Sequence, residues 1–71
     1  MTRLEKDMLI VEQGSEDEYM AMMRRREIRM GELRMRLKTT RNAFITQCTR
    51  QELDREEANY RRLALYAGDM V

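Results

Sequence analysis

The apolar residues in the middle of the chain recur at alternating intervals of four and three positions. This spacing places them on one face of an α-helix and is typical of helices that pack in coiled-coil fashion. It predicts a long central helix with a single apolar seam, in which two polar residues interrupt the series. The seam consists of Tyr19, Met23, Arg26, Met30, Leu33, Leu37, Thr40 and Phe44.

Three segments begin with a Ser or Thr that is followed three residues later by Glu, which is the pattern of a helix N-terminal capping box. The pairs are Thr2 and Glu5, Ser15 and Glu18, and Thr49 and Glu52. They predict helices at about 3–13, 16–47 and 50–67. Gly14 is expected to end the first helix. Gly68 is expected to end the third by adopting the left-handed backbone conformation, and residues 69–71 are expected to fray.

The chain contains no proline, and its dominant residues are favourable in helix interiors. The predicted fold class is therefore all-α, with one domain spanning residues 1–71. A short N-terminal helix would precede an antiparallel, coiled-coil-like hairpin that turns near Cys48 and Thr49. That turn would bring Phe44 near Leu53 and Leu37 near Tyr60, and Met30 would face Ala67.

The predicted hairpin is unequal, because the third helix would be about 27 Å long and the second about 48 Å. The N-terminal half of the second helix would then extend beyond its partner and expose apolar side chains. Methionine suits a docking surface, because its flexible side chain adapts to a partner. We expect Tyr19 and Met23 to be anchors, and Ile28 and Met35 to form a second apolar line opposite the seam. The predicted partner-binding residues are Tyr19, Met20, Met22, Met23, Ile28 and Met35.

The chain has a poor set of residues for catalysis. It contains no histidine, a single cysteine, and one serine that is better explained as a helix cap. Cys48 has no histidine to activate it and is more simply a small apolar residue. Without histidine or further cysteines, the usual structural zinc sites are also excluded. We therefore expect no enzyme activity, no catalytic residues, no metal site and no cofactor.

Basic residues are concentrated in one segment, although the net charge is only +1. Residues 24–41 contain eight basic and two acidic side chains. Clustered arginines favour contacts with phosphate groups, so an RNA-binding helical hairpin of the ROP type is one alternative function. The basic side chains point around the whole helix, however, and no aromatic residues alternate with them, so nucleic-acid binding is less favoured. A self-associating coiled coil, or a homodimer of the free chain, is another alternative.

The chain is expected to be cytoplasmic. The apolar run from Met8 to Val11 is far too short for a signal-peptide core, and no segment approaches the roughly 20 apolar residues that cross a membrane. A lone cysteine also fits a reducing compartment better than a secreted disulfide scaffold.

The two ends of the chain resemble those of the YscE-like proteins of type III secretion systems. The similar stretches are Met1-Thr2-Arg3-Leu4-Glu5 and Leu65-Tyr66-Ala67-Gly68-Asp69-Met70. The resemblance implies a small cytoplasmic co-chaperone that binds and stabilises a tetratricopeptide-like chaperone. Through that chaperone, it would help to keep the needle filament subunit soluble before export.

Overall fold

The protein folds as three α-helices in a computed structural model that describes residues 1–69. They are α1 (Arg3–Gln13), α2 (Glu16–Thr39) and α3 (Ala43–Asp69), and no β-strand occurs within the described range. α2 and α3 form an antiparallel hairpin, and α1 packs against both of them. The predicted all-α fold, with a short helix before a helical hairpin, is confirmed.

Local hydrogen bonds explain why α1 and α2 begin where they do. The Thr2 hydroxyl accepts from the Glu5 backbone N–H at 3.2 Å, and the Thr2 N–H donates to the Glu5 carboxylate at 3.4 Å. Ser15 and Glu18 repeat the arrangement at the start of α2. Both predicted capping boxes are therefore confirmed.

The predicted end of the first helix at Gly14 is confirmed, whereas the predicted end of the third at Gly68 is not. Gly14 follows α1 with a φ of −81°, and no glycine among residues 1–69 has a positive φ. Gly14 is instead required by space, since a Cβ atom there would lie 2.7 Å from the Ile10 carbonyl oxygen. Gly68 lies inside α3, so the predicted end at that residue is wrong. The predicted fraying of residues 69–71 is wrong for Asp69, which is helical; Met70 and Val71 lie outside the described residues.

The turn of the hairpin lies about seven residues, or two helical turns, before the predicted position. α2 ends at Thr39 rather than near 47, and α3 begins at Ala43 rather than near 50. The cap of α3 is Asn42, whose side-chain oxygen accepts from the backbone N–H groups of Phe44 at 2.9 Å and Ile45 at 3.1 Å. The third predicted capping box is therefore wrong: Thr49 lies within α3 and is buried.

Because the turn comes earlier, the two helices are paired differently from the prediction. Met30 packs with Leu33 and Leu53 rather than facing Ala67. Phe44 does not pack near Leu53 but is 73% exposed at the start of α3.

Two apolar clusters form the core along the hairpin. One contains Met30, Leu33 and Leu53, and the other contains Met22, Met23 and Leu63 together with apolar side chains of α1. Tyr60 packs against both clusters and makes the core continuous. With 27 residues in α3 and 24 in α2, α3 extends along the whole of α2. The predicted uncovered half of the second helix is therefore wrong.

Candidate protein-binding surfaces

A buried ion-pair network joins the three helices at Arg26. Its guanidinium donates to the Asp7 carboxylate of α1, with N–O distances of 2.6 and 2.7 Å, and to Glu56 of α3 at 3.2 Å. The Arg26 side chain is only 6% exposed. Arg26 stands at a seam position of α2, so the polar interruption in the sequence is the position where α1 is attached to the hairpin.

The ion-pair network also has a more exposed neighbour. Arg29 bonds Glu52 of α3 at 2.5 Å and lies 3.5 Å from Glu32 on its own helix. The hydrogen bond that Arg29 donates to Glu52, together with the charges of the two carboxylates, raises the pKa of Arg29 above its ordinary value. A small cavity of about 90 Å³ lies beside Arg26 and Arg29. We assign these contacts to helix packing, because Arg26 already has its carboxylate partners.

A larger groove of about 450 Å³ lies between α2 and α3, and we call it the Tyr19 groove. Its apolar surface comes from long side chains of α2 that face small alanines, which leave an open channel between the helices. One edge of the groove is polar and carries one positive residue, Arg24, and one negative residue, Glu27. The groove is lined by Tyr19, Met20, Ala21, Met23, Arg24, Glu27, Tyr60 and Ala64.

The polar edge of the Tyr19 groove is held in place by a hydrogen bond between the helices. The Tyr60 hydroxyl donates to Glu27 at 3.0 Å. This hydrogen bond, helped by desolvation and the negative charge of Glu27, raises the pKa of Tyr60 above 10.0. The neighbouring Arg24 forms no salt bridge with a described carboxylate within 4.0 Å. The groove therefore offers apolar contact along its length and a free guanidinium at its rim.

The surface beside Tyr19 also includes the junction of α1 and α2. There a second depression of about 250 Å³ is lined by Ile10, Val11, Gly14, Tyr19 and Ala67, among others. Nearby, the Tyr66 hydroxyl donates to Glu12 and ties α3 to the end of α1. Tyr19 lines both depressions, so the two are neighbours on the surface.

A second apolar surface runs along the exposed side of α2, starts at the edge of the Tyr19 groove and is here called the outer face of α2. Met20, Ile28 and Met35 are 60%, 56% and 60% exposed there. Gly31 lies between the last two, and a Cβ atom at Gly31 would have nothing within 4 Å. The predicted second apolar line opposite the seam is confirmed for Ile28 and Met35. The outer face consists of Met20, Arg24, Ile28, Gly31, Met35 and Lys38.

The six predicted partner-binding residues therefore do not form a single patch. Tyr19, Met20 and Met23 line the Tyr19 groove. Ile28 and Met35 lie on the outer face, and only Met20 belongs to both surfaces. Met22 is 1% exposed and Met23 is 7% exposed. Met22 is thus a core residue, and Met23 offers a partner only a small part of its surface. Their burial corrects the expectation that both are exposed, which followed from the wrong length of α3.

Sequence reasoning missed four residues of the Tyr19 groove: Arg24, Glu27, Tyr60 and Ala64. Tyr60 was expected near Leu37, and the predicted pairing brought no residue of the third helix to the Tyr19 end of α2. The correct turn would have revealed them, and the Asn42 cap is the sequence signal for that turn.

The basic segment at 24–41 is mostly exposed. Apart from Arg26 and Arg29, its basic side chains form no salt bridge within residues 1–69. Cys48 is a free, exposed thiol near the hairpin turn. Among the described residues there is no group of three His, Cys, Asp or Glu side chains that could hold a metal ion. No helix in that range is long and apolar enough to span a membrane.

No protein-family model matches the chain, and no curated protein or solved structure shows significant similarity to it.

Proposed function

We propose that the protein is a small cytoplasmic binding protein that acts as a co-chaperone of a type III secretion system. It binds and stabilises a tetratricopeptide-like chaperone and, through it, helps to keep the needle subunit soluble before export. The observation that carries the proposal is the Tyr19 groove, an open channel between two helices with an apolar floor. The resemblance of the chain ends to the YscE-like proteins supports the choice of partner.

The shape of the groove favours a helix as the bound element. A helix lays one apolar face into a groove of this kind and presents side chains at intervals of three and four residues. Ala21 and Ala64 leave room for close approach, and the flexible Met20 can adjust to the partner's contour. Arg24 and Glu27 at the rim would select complementary charges and so fix the orientation of the bound helix.

The test uses two exposed groove residues from different helices. Met20→Asp and Ala64→Glu each place a charge in the channel without opening the core. We expect each variant to lose at least about tenfold in affinity for the chaperone, as truncated interface anchors commonly do. Met35→Asp is the matched control, since it introduces the same charge at an equally exposed position of α2 that does not line the Tyr19 groove. Helical circular dichroism should be unchanged in all three variants.

The partner is identified by capturing the tagged chain from its native cells. Recovery of a tetratricopeptide-like chaperone together with a small filament subunit, lost in Met20→Asp, is the expected result. Recovery of RNA, with binding that weakens steeply as salt is added, would replace the proposal with the RNA-binding hairpin. Chaperone binding that both groove variants retain would exclude the Tyr19 groove as the interface.

A further inference from the structure

The outer face of α2 has a pattern that the fold of the single chain does not explain. Its apolar side chains are more than half exposed at Met20, Ile28 and Met35. Gly31 lies among them in the interior of a 24-residue helix, where glycine costs about 1 kcal/mol relative to alanine. No atom of the chain would obstruct a side chain at that position. The packing of the monomer therefore does not explain the glycine.

The spacing of the outer face is that of a second helix-packing seam. From Met20 to Lys38 the positions advance in steps of four, four, three, four and three residues, so they stay on one side of the helix. The buried seam of α2 faces α1 and α3. A second seam on the opposite side indicates that another helix packs there.

The spacing of positions along this side of α2 is nearly symmetric about Ile28. Met20 and Met35 stand at similar distances on either side of the centre, and so do Arg24 and Gly31. Asp17 and Lys38 lie at the two ends, and both side chains are exposed. A face with this symmetry complements itself when two copies are related by a two-fold axis, since each contact then occurs twice.

We propose that the outer face of α2 binds a second copy of this chain, with the two α2 helices packed antiparallel and crossing at Ile28. Met20 of each copy contacts Met35 of the other, and Ile28 contacts its own equivalent at the axis. Arg24 passes over Gly31 of the second copy, where the absent side chain leaves space for it. The outer face shares Met20 and Arg24 with the Tyr19 groove, so a second copy on the outer face and a chaperone helix in the groove would compete for these two side chains.

Charge selects the antiparallel arrangement over the parallel one. In the antiparallel pair, Asp17 at the acidic start of α2 lies opposite Lys38 of the second copy. The carboxylate of Glu32, next to Gly31, lies within reach of Arg24 of the other copy. A parallel pair would instead oppose Arg24 to Arg24 and Lys38 to Lys38, and such like charges across an interface are unfavourable.

The dimer is expected to be weak and to depend on concentration. Two helices about 36 Å long that meet along one line bury on the order of 400 Å² per copy, about half of what a standard stable interface buries. We therefore expect dissociation constants in the micromolar range or above.

Sedimentation velocity over a range of concentrations tests the surface. The natural chain should shift from monomer to dimer as its concentration rises, and Ile28→Glu should weaken the dimer at least about tenfold, because it places two like charges at the axis. Leu65→Glu is the matched control, since Leu65 is also exposed, at 68%, but lies on α3. A natural chain that stays monomeric at millimolar concentration, or an Ile28→Glu dimer of unchanged affinity, overturns the proposal.

Disulfide formation tests the orientation, with Cys48→Ser as the background for every variant. Ile28→Cys should crosslink rapidly, and a mixture of Met20→Cys with Met35→Cys should form the mixed dimer. Met20→Cys alone should not crosslink, because the two thiols would lie about 22 Å apart along the helices. Rapid crosslinking of Met20→Cys alone overturns the antiparallel arrangement.

Since Ile28 lies outside the Tyr19 groove, Ile28→Glu should retain chaperone binding, so the two proposals can fail separately.

Discussion

Arg26 shows how one polar residue can organise a small helical fold. It occupies a seam position of α2 and bonds Asp7 of α1 and Glu56 of α3. The three charged side chains are almost entirely removed from water, so each depends on the others for its hydrogen bonds. A buried pair of this kind adds little net stability compared with apolar residues, but breaking it is costly. The network therefore specifies how α1 packs more than it strengthens the core.

Removing Arg26 should consequently be more harmful than its contacts alone suggest. Arg26→Ala leaves the carboxylates of Asp7 and Glu56 buried without a cation, and we expect it to reduce the free energy of unfolding by about 3 kcal/mol. Urea denaturation followed by circular dichroism measures this loss.

Two further variants separate the charge effect from the packing effect. Arg25→Ala, at an exposed position, should change stability by less than about 0.5 kcal/mol. A triple variant with Arg26→Met, Asp7→Leu and Glu56→Leu should recover the stability lost in Arg26→Ala, because no unpaired charge remains. An Arg26→Ala protein as stable as the natural chain would show that the network is not required.

The turn between α2 and α3 depends on a competition between two local signals. Thr49 followed by Glu52 has the pattern of a capping box, and Asn42 has the side chain of a good N-cap. The structure uses Asn42 and buries Thr49 at 1% exposure. The apolar seam of α2 does not distinguish a turn at Asn42 from a turn at Thr49. The two positions are seven residues apart, which is close to two full helical turns. The same face of each helix remains apolar for either choice.

Substitutions at these two positions should distinguish the caps. Asn42→Ala removes the acceptor for two backbone N–H groups and should cost about 1 kcal/mol of stability, whereas Asn42→Asp should retain most of it. Thr49→Asp would be tolerated in a helix cap, but in the structure it places a charge in the core and should unfold the protein. Thermal melting of the three variants measures the outcome. A stable Thr49→Asp variant would contradict the observed turn.

At the scale of the whole molecule, the helices are held together by side chains that α3 sends to both other helices. Leu63 reaches the Met22 and Met23 cluster, and Tyr60 joins the two clusters. Tyr60 also donates to Glu27 of α2, and Tyr66 donates to Glu12 of α1. The molecule is an elongated bundle of 43 × 20 × 19 Å, so such contacts at separate points along its length are needed to hold the helices in register.

These tyrosine contacts predict a loss of stability at high pH. Hydrogen bonds to Glu27 and Glu12, with smaller contributions from desolvation and the carboxylate charges, raise the pKa values of Tyr60 and Tyr66 above 10.0. The folded state therefore keeps protons that the unfolded chain loses. The resulting stabilisation is complete below about pH 10 and is lost as the pH rises through the folded pKa values.

Urea midpoints measured on both sides of pH 10 test this prediction. The natural chain should lose more stability across the interval than the Tyr60→Phe/Tyr66→Phe variant, which has no phenol at either position. Tyrosinate absorbance should also rise at higher pH in the folded chain than in the chain unfolded by urea. The same pH dependence in both proteins would show that the two phenols contribute nothing.

The helical character of the chain, the starts of α1 and α2, and the apolar face of α2 were all determined by the sequence alone. Each depends on residues within a few positions of one another, as Thr2 with Glu5 and Ser15 with Glu18 illustrate. The second apolar line at Ile28 and Met35 could be predicted for the same reason, since its positions follow from the helical repeat.

Only the tertiary structure decided where the hairpin turns and which side chains are covered. Choosing Asn42 over Thr49 depends on the packing of whole helices, because Thr49 must be buried and α3 must reach Met22 and Leu4. That choice turned Met22 from a predicted docking residue into core and brought Tyr60 and Ala64 into the Tyr19 groove. The physical reason is that a groove joins residues from separate helices, so its members depend on the relative register of those helices. The helical repeat leaves that register open.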